Sequence, residues 1–115
     1  MRIFNLSRGA GKTMRMMFAS EFNNAPILCS NYKTKDYILN MAKRYGLNIP
    51  EPITARELYS GYVKNALDNH MINDILIDEP LCVLQELLQS INNNLHIVGC
   101  ALSDEEKQKL LKEFD

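Results

Sequence analysis

The stretch Ser7-Arg8-Gly9-Ala10-Gly11-Lys12-Thr13 directly follows the short apolar run Ile3-Phe4-Asn5-Leu6 and directly precedes residues that can form a helix. It reads as a phosphate-binding loop. Such a loop needs a turn free of bulky side chains, so that successive backbone N–H groups converge on phosphate oxygens while the following helix aims its positive N-terminal end at them. Gly9, Ala10 and Gly11 supply that turn. Lys12 then reaches the β- and γ-phosphates and the Thr13 hydroxyl ligates Mg²⁺, which is why the pattern ends in Lys followed by Ser or Thr. The first glycine of G-x-x-x-x-G-K-[ST] falls on Leu6, so only the second half of the pattern is met. Short strings of this kind are common, and the surrounding elements decide their meaning.

Working outward, residues 2–6 read as a short strand. Met14, Met17, Phe18 and Phe22 recur at helical spacing from Lys12 to Phe22, and Asn23-Asn24-Ala25-Pro26 stops that helix. Pro26-Ile27-Leu28-Cys29 is a brief continuous apolar run, as expected of a strand buried on both faces of a parallel sheet. Asn31 to Arg44 predicts a second helix with Tyr37, Ile38, Met41, Ala42 and Tyr45 on one side and Gly46 as its stop. The bases Lys33, Lys35, Lys43 and Arg44 in this region read as a solvated helix face, with a nucleic-acid contact as the alternative. Leu47 to Ile53 carries two prolines and predicts only a short or irregular strand, and Thr54-Ala55-Arg56-Glu57 has the spacing of a capping box opening a short helix to about Gly61. Tyr62 to Asn73 reads as a helix through Tyr62, Val63, Ala66 and Leu67, or as a long loop.

The second informative stretch is Asp74-Ile75-Leu76-Ile77-Asp78-Glu79-Pro80. Three consecutive aliphatic residues predict a buried strand with two adjacent acids at its C-terminal end. In open α/β sheets ligands bind beyond the carboxyl ends of the strands, so Asp78 and Glu79 are delivered beside the phosphate loop. Pro80 then starts a helix in which Leu84, Leu87, Leu88 and Ile91 form an amphipathic face up to Asn92-Asn93-Asn94. Leu95 to Leu102 reads as a further strand. Ser103-Asp104-Glu105-Glu106 is a second capping box, opening a tail helix with Leu110, Leu111 and Phe114. Strands alternating with helices imply a parallel sheet with helices on both faces.

Taken together, the loop and the acidic pair are the two halves of a Mg²⁺–nucleotide site. Mg²⁺ keeps several waters, so Thr13 and Asp78 suffice as protein ligands. Glu79 is then placed to polarise the water that attacks the γ-phosphate, since phosphoryl transfer asks for positioning and charge compensation. The other polar residues have simpler readings. His70 and His96 stand apart with no nucleophile pattern around either, and the cluster Met14, Met16 and Met17 reads as core and helix surface.

The bulk properties agree with one ordinary globular domain spanning residues 1–115, with 46% hydrophobic and 23% charged residues. Thirteen basic and fourteen acidic side chains nearly cancel, so no basic field advertises a nucleic-acid surface. Cys29, Cys82 and Cys100 are odd in number and lie in apolar runs, which fits reduced core thiols in a cytosolic protein. No apolar stretch approaches a membrane span and no signal peptide precedes the first apolar run, so a soluble cytoplasmic protein without membrane contact is expected.

Ser7-Arg8-x-x-Gly11-Lys12-Thr13 resembles the deviant phosphate loop of terminase large subunits, the DNA-packaging ATPases of tailed phages. Ile75-Leu76-Ile77-Asp78-Glu79 resembles their Walker B strand, and that of the wider group of P-loop ATPases with an additional strand and a catalytic glutamate, which includes helicases and RecA-like proteins. The resemblance implies a three-layer α/β/α P-loop NTPase fold with a mostly parallel five-stranded sheet of order 5-1-4-3-2. It further implies ATP held by Ser7, Arg8, Gly9, Ala10, Gly11, Lys12 and Thr13, Mg²⁺ on Thr13 and Asp78, and Glu79 as catalytic carboxylate, aided by Lys12 and by Arg8 as a charge-compensating group. The adenine-binding segment and nuclease domain of a terminase have no counterpart in these residues, so what is implied is an ATPase core rather than a packaging motor.

The expected function is therefore a small ATP-hydrolysing P-loop protein of phage type, acting in the host cytoplasm. No arginine finger stands out among Arg15, Arg44 and Arg56, so turnover calls for self-association or a partner protein that supplies one. The alternative is a non-catalytic interaction or regulatory protein that keeps the fold and uses nucleotide as a structural ligand or switch. A kinase acting on a small molecule needs arginine-rich lid segments, and no such cluster occurs.

Overall fold

The structure, a computed structural model, describes residues 11–60, 73–101 and 103–106. The expectations for the strand at residues 2–6, for Ser7, Arg8, Gly9 and Ala10, for the segment 62–72 with His70, and for Leu110, Leu111 and Phe114 lie outside the described residues.

Four helices and three strands follow one another as α1 (Lys12–Asn23), β1 (Ile27–Cys29), α2 (Tyr32–Arg44), β2 (Ile53–Thr54), α3 (Ala55–Ser60), β3 (Leu76–Ile77) and α4 (Pro80–Ile91). Both neighbours of β1 run parallel to it, giving the order β2-β1-β3. The register pairs Leu28 with Ile53 and Ile27 with Leu76. Because successive strand residues point to opposite faces, β1 feeds two cores. Ile27 and Cys29 join Met16, Met17, Ile38 and Ala42 of α1 and α2 on one face. Leu28 joins Ile53, Ala55 and Val83 from β2, α3 and α4 on the other.

Local chemistry sets the element ends. Asn24, left-handed at φ 51°, ends α1, and the buried Ser20 hydroxyl donates to the Ala25 carbonyl at 2.6 Å, locking the turn into β1. Asn31 caps α2 by accepting from the Thr34 N–H at 2.9 Å, and Gly46 at φ 68° supplies the left-handed residue beyond its C-terminus. Two prolines without N–H groups delay β2 to Ile53. Thr54 and Glu57 then form a reciprocal capping box, the Thr54 N–H donating to Glu57 Oε1 at 3.0 Å and the Glu57 N–H to Thr54 Oγ1 at 3.1 Å. Ser103 and Glu106 make one half of such a box at the helical turn 104–106, the Glu106 N–H donating to Ser103 Oγ at 3.1 Å.

The same Glu57 meets a lysine. Lys35, only 8% exposed, donates from Nζ to both Glu57 oxygens at 3.0 and 3.2 Å and lies 3.4 Å from Glu51. Lys33, Lys43 and Arg44 are exposed as a solvated face requires, but Lys35 turns inward and ties α2 to the β2–α3 corner.

The sheet corrects the five-stranded order 5-1-4-3-2 expected from the resemblance: the described residues form three parallel strands. Residues 95–101, expected as a strand, carry none. Two of their backbone groups are taken instead by one side chain of α4, with the Ile97 N–H donating to Gln85 Oε1 at 2.7 Å and Gln85 Nε2 donating to the Leu95 carbonyl at 2.9 Å. β3 also departs from the buried strand expected, since Ile75 and Ile77 are exposed and only Leu76 is half-buried. β3 stands at the edge of the described sheet, paired on one side only. The helix faces are met in part: Met17, Ile38 and Ala42 are buried as expected, whereas Phe18 and Phe22 of α1 and Tyr37 and Tyr45 around α2 are exposed and Ser20 is buried in α1. Of the cysteines, Cys29 is a core thiol as expected, pushed up to about 11 by burial and then by the charge of Asp78, whereas Cys82 and Cys100 are exposed.

Candidate functional site

Two sequence-distant motifs meet at one end of the sheet. Gly11, left-handed at φ 82°, is the N-cap of α1, and Lys12 and Thr13 are the first residues of that helix. A glycine is needed there because a side chain at positive φ is strained. No side chain among the described residues caps this end, where the N–H groups of the first turn lie in the positive field of the helix terminus.

From the other side, β3 delivers Asp78 and Glu79 immediately past its last residue, and the Asp78 N–H continues the ladder to the Leu28 carbonyl at 2.9 Å. Lys12 Nζ lies 3.8 Å from Asp78 Oδ1 and 3.6 Å from Glu79 Oε1. One lysine thus serves two carboxylates.

The carboxylates differ in setting. Asp78 Oδ1 is buried and accepts no hydrogen bond among the described residues. Burial raises the Asp78 pKa, Lys12 opposes that and the neighbouring Glu79 adds to it, so the net effect is upward. A carboxylate whose folded pKa is raised contributes most stability when protonated, below its unfolded value near 3.8, and loses that contribution as pH rises through the folded value. At neutral pH its charge is a cost to the fold. Asp78→Asn is accordingly expected to raise the midpoint of chemical unfolding, by on the order of 1 kcal/mol, as a neutral isostere replaces a buried charge. A lowered midpoint at pH 7 would count against this account of Asp78.

Glu79 is exposed and stands in the left-handed region at φ 53° and ψ 69°, directly before Pro80. That conformation costs a non-glycine residue roughly 1–2 kcal/mol, and a following proline disfavours helical backbone in the residue before it. It is held by the start of α4, where the Cys82 and Val83 N–H groups donate to the Glu79 carbonyl at 3.0 and 3.1 Å. Burial and the Glu79 carboxylate together raise the Cys82 thiol pKa.

Thr13 and Asp78 are the residues that could hold a cation here. No cluster of three or more His, Cys, Asp or Glu side chains able to hold a metal by itself occurs among the described residues. Mg²⁺ bound beside phosphate asks for less, one or two protein oxygens with water and phosphate completing the shell. A buried carboxylate oxygen without a donor suits that part.

Of the expected site residues, Gly11, Lys12, Thr13, Asp78 and Glu79 are described, and Lys12, Asp78 and Glu79 come together. Ser7, Arg8, Gly9 and Ala10 lie outside the described residues. Arg44 sits 5.9 Å from the Tyr45 ring centre and Arg56 pairs with Glu86 at 3.9 Å. Sequence reasoning missed a groove of about 580 Å³ beside the start of α4, lined by Ser30, Asn31, Leu81, Gln85, Ile97 and Val98. Its only advance signal was position, since Ser30 and Asn31 follow the carboxyl end of β1. No helix among the described residues is long and apolar enough to cross a membrane. No protein-family model, curated protein or solved structure matches the chain.

Proposed function

We propose that this protein binds Mg²⁺–ATP between the Gly11-Lys12-Thr13 end of α1 and Asp78-Glu79, and hydrolyses it. The observation that carries the reading is Lys12 held within 4 Å of both carboxylates, which joins two motifs that were separate in the sequence. Lys12 supplies the positive charge for the β- and γ-phosphates, and the open N–H groups of the first turn of α1 add backbone donors. Thr13 and Asp78 hold Mg²⁺, which supplies charge neutralisation of the phosphates when bound. Glu79, outside the buried part of the site, accepts hydrogen bonds and orients the attacking water. Arg8 and the remainder of the loop complete the phosphate cradle in this reading, and an arginine contributed by a second molecule accelerates turnover.

Glu79→Gln separates binding from chemistry. The variant is expected to bind Mg²⁺–ATP within a few-fold of the parent while phosphate release falls by about two orders of magnitude, the scale of losing a group that acts by general acid–base chemistry. Phosphate release followed at several protein concentrations provides the measurement. Zero turnover in the parent at every concentration, with ATP still bound, would transfer the protein to the non-catalytic reading in which nucleotide is a structural ligand or switch.

A further inference from the structure

Two of the three cysteines, Cys82 and Cys100, are exposed, and both line the groove of about 580 Å³ beside the start of α4. They come to it from different elements. Cys82 lies in the first turn of α4, where its N–H donates to the Glu79 carbonyl at 3.0 Å. Cys100 lies on the segment 95–101, which has no regular structure and is tied to α4 through Gln85, the side chain that takes the Leu95 carbonyl and the Ile97 N–H. Beyond Ile97, no hydrogen bond among the described residues holds residues 98–101. Val98 is fully exposed, and a side chain built on Gly99 would meet nothing within 4 Å.

We propose that Cys82 and Cys100 form a reversible disulfide across this groove, with a small-molecule disulfide such as glutathione disulfide as the oxidant. Chain geometry brings the two thiols within reach. Cys82 lies three residues before Gln85, about 4.5 Å along the helix axis, and Cys100 lies three residues past Ile97, at most about 11 Å of extended chain. Ile97 to Cys100 line the groove together with Leu81 and Cys82, so the segment runs back along α4 toward its first turn. Both cysteines therefore lie on the same side of one anchoring point. The arm that carries Cys100 has the freedom to reach the Cα separation of about 4.4–6.8 Å that a disulfide needs. Cys29 takes no part, because it is buried in the core with its thiol donating to the Ile53 carbonyl at 3.5 Å. In the first step one protein thiolate attacks a sulfur of the oxidant, forming a mixed disulfide and expelling a glutathione thiolate. The second protein thiolate then attacks the protein sulfur of that bond and expels the other glutathione. Two protein thiols thus give up two electrons and two protons, and one glutathione disulfide becomes two thiols. The new bond fixes residues 97–101 against the first turn of α4, directly after Glu79. The inference does not rest on the nucleotide reading.

Incubation of the full chain in glutathione buffers of rising disulfide-to-thiol ratio, followed by acid quenching, intact mass measurement and peptide mapping, tests it. The parent is expected to lose two hydrogens, with the Cys82 and Cys100 peptides linked and Cys29 still reduced, and to recover both thiols in excess reduced glutathione. Cys82→Ser and Cys100→Ser are each expected to stop at one glutathione adduct on the remaining exposed cysteine, since no second thiol is present to release it. Both positions are exposed, so unchanged circular dichroism spectra are expected, and the parent's result decides by itself should either variant lose its fold. A parent that stays reduced at the most oxidising ratio, that carries glutathione on both exposed thiols without an internal bond, or that links one chain to another overturns the proposal.

Discussion

Lys12→Ala is expected to abolish Mg²⁺–ATP binding, a loss on the order of 100-fold or more, corresponding to about 3 kcal/mol. The size follows from what the lysine does: among the described residues it is the positive side chain paired with both Asp78 and Glu79. Without it, phosphate oxygens face two carboxylates and no side-chain cation among the described residues. The fold is expected to survive, because Lys12 is 37% exposed and its pairs are longer than good hydrogen bonds. Lys12→Arg is a sharper control. A planar guanidinium spreads its charge over a wider fork than a compact ammonium and does not reproduce its point contact with phosphate, so most of the affinity is expected to go although the charge is retained. Isothermal titration calorimetry with Mg²⁺–ATP reads both variants. Parental affinity in Lys12→Ala would sink the nucleotide assignment.

The second large effect concerns stability. Glu57→Ala removes the counter-charge of Lys35 and half of the Thr54 capping box in one step. Stranding a charge that is 8% exposed costs about 3–5 kcal/mol, and Glu51, at 3.4 Å but largely exposed, recovers only part of it. A lowered denaturation midpoint of that order is expected. A shift below about 1 kcal/mol, the range of an exposed pair, contradicts the role given to Lys35. The pH dependence follows from the directions of the two shifts. Burial alone raises Glu57, but the Thr54 N–H and the Lys35 ammonium outweigh it and hold the carboxyl below its usual 4.5. Burial alone lowers Lys35, and its two glutamates outweigh that and hold it above 10.5. A depressed carboxyl contributes stability that is present above its unfolded pKa and is lost as pH falls through the folded one. A raised amine contributes below its unfolded pKa and loses that as pH rises through the folded one. Parent and Glu57→Ala stabilities are therefore expected to converge below pH 4.5.

Local chemistry was the legible part of this chain. Asn31, Thr54-Glu57, Gly46, Pro80 and Ser103-Glu106 each signal a helix end through bonds that span only a few residues, and each signal has its counterpart in the structure. Asp78 and Glu79 were legible for the same reason, as acids directly past a short aliphatic strand. Tertiary choices were not. Residues 95–101 are apolar enough for a strand, and nothing local announces that Gln85 takes the Ile97 N–H and the Leu95 carbonyl. Lys35 looked like one more base on a polar face because its partner lies on another element. The five-stranded order came from resemblance rather than from these residues, and the described sheet has three strands.

The lysine shared by Asp78 and Glu79 also bears on how a ligand enters. Among the described residues two acids here share one base, and one of those acids has an oxygen with no hydrogen-bond donor. In the proposed reading, uncomplexed nucleotide, itself strongly anionic, meets two carboxylates of its own sign. Divalent cation relieves both parties at once, by reducing the ligand's charge and by engaging Asp78, and Lys12 is thereby freed to change partners. If the proposed nucleotide reading holds, the arrangement favours metal and nucleotide arriving together over nucleotide arriving first, making the ionic state of the ligand a condition of admission.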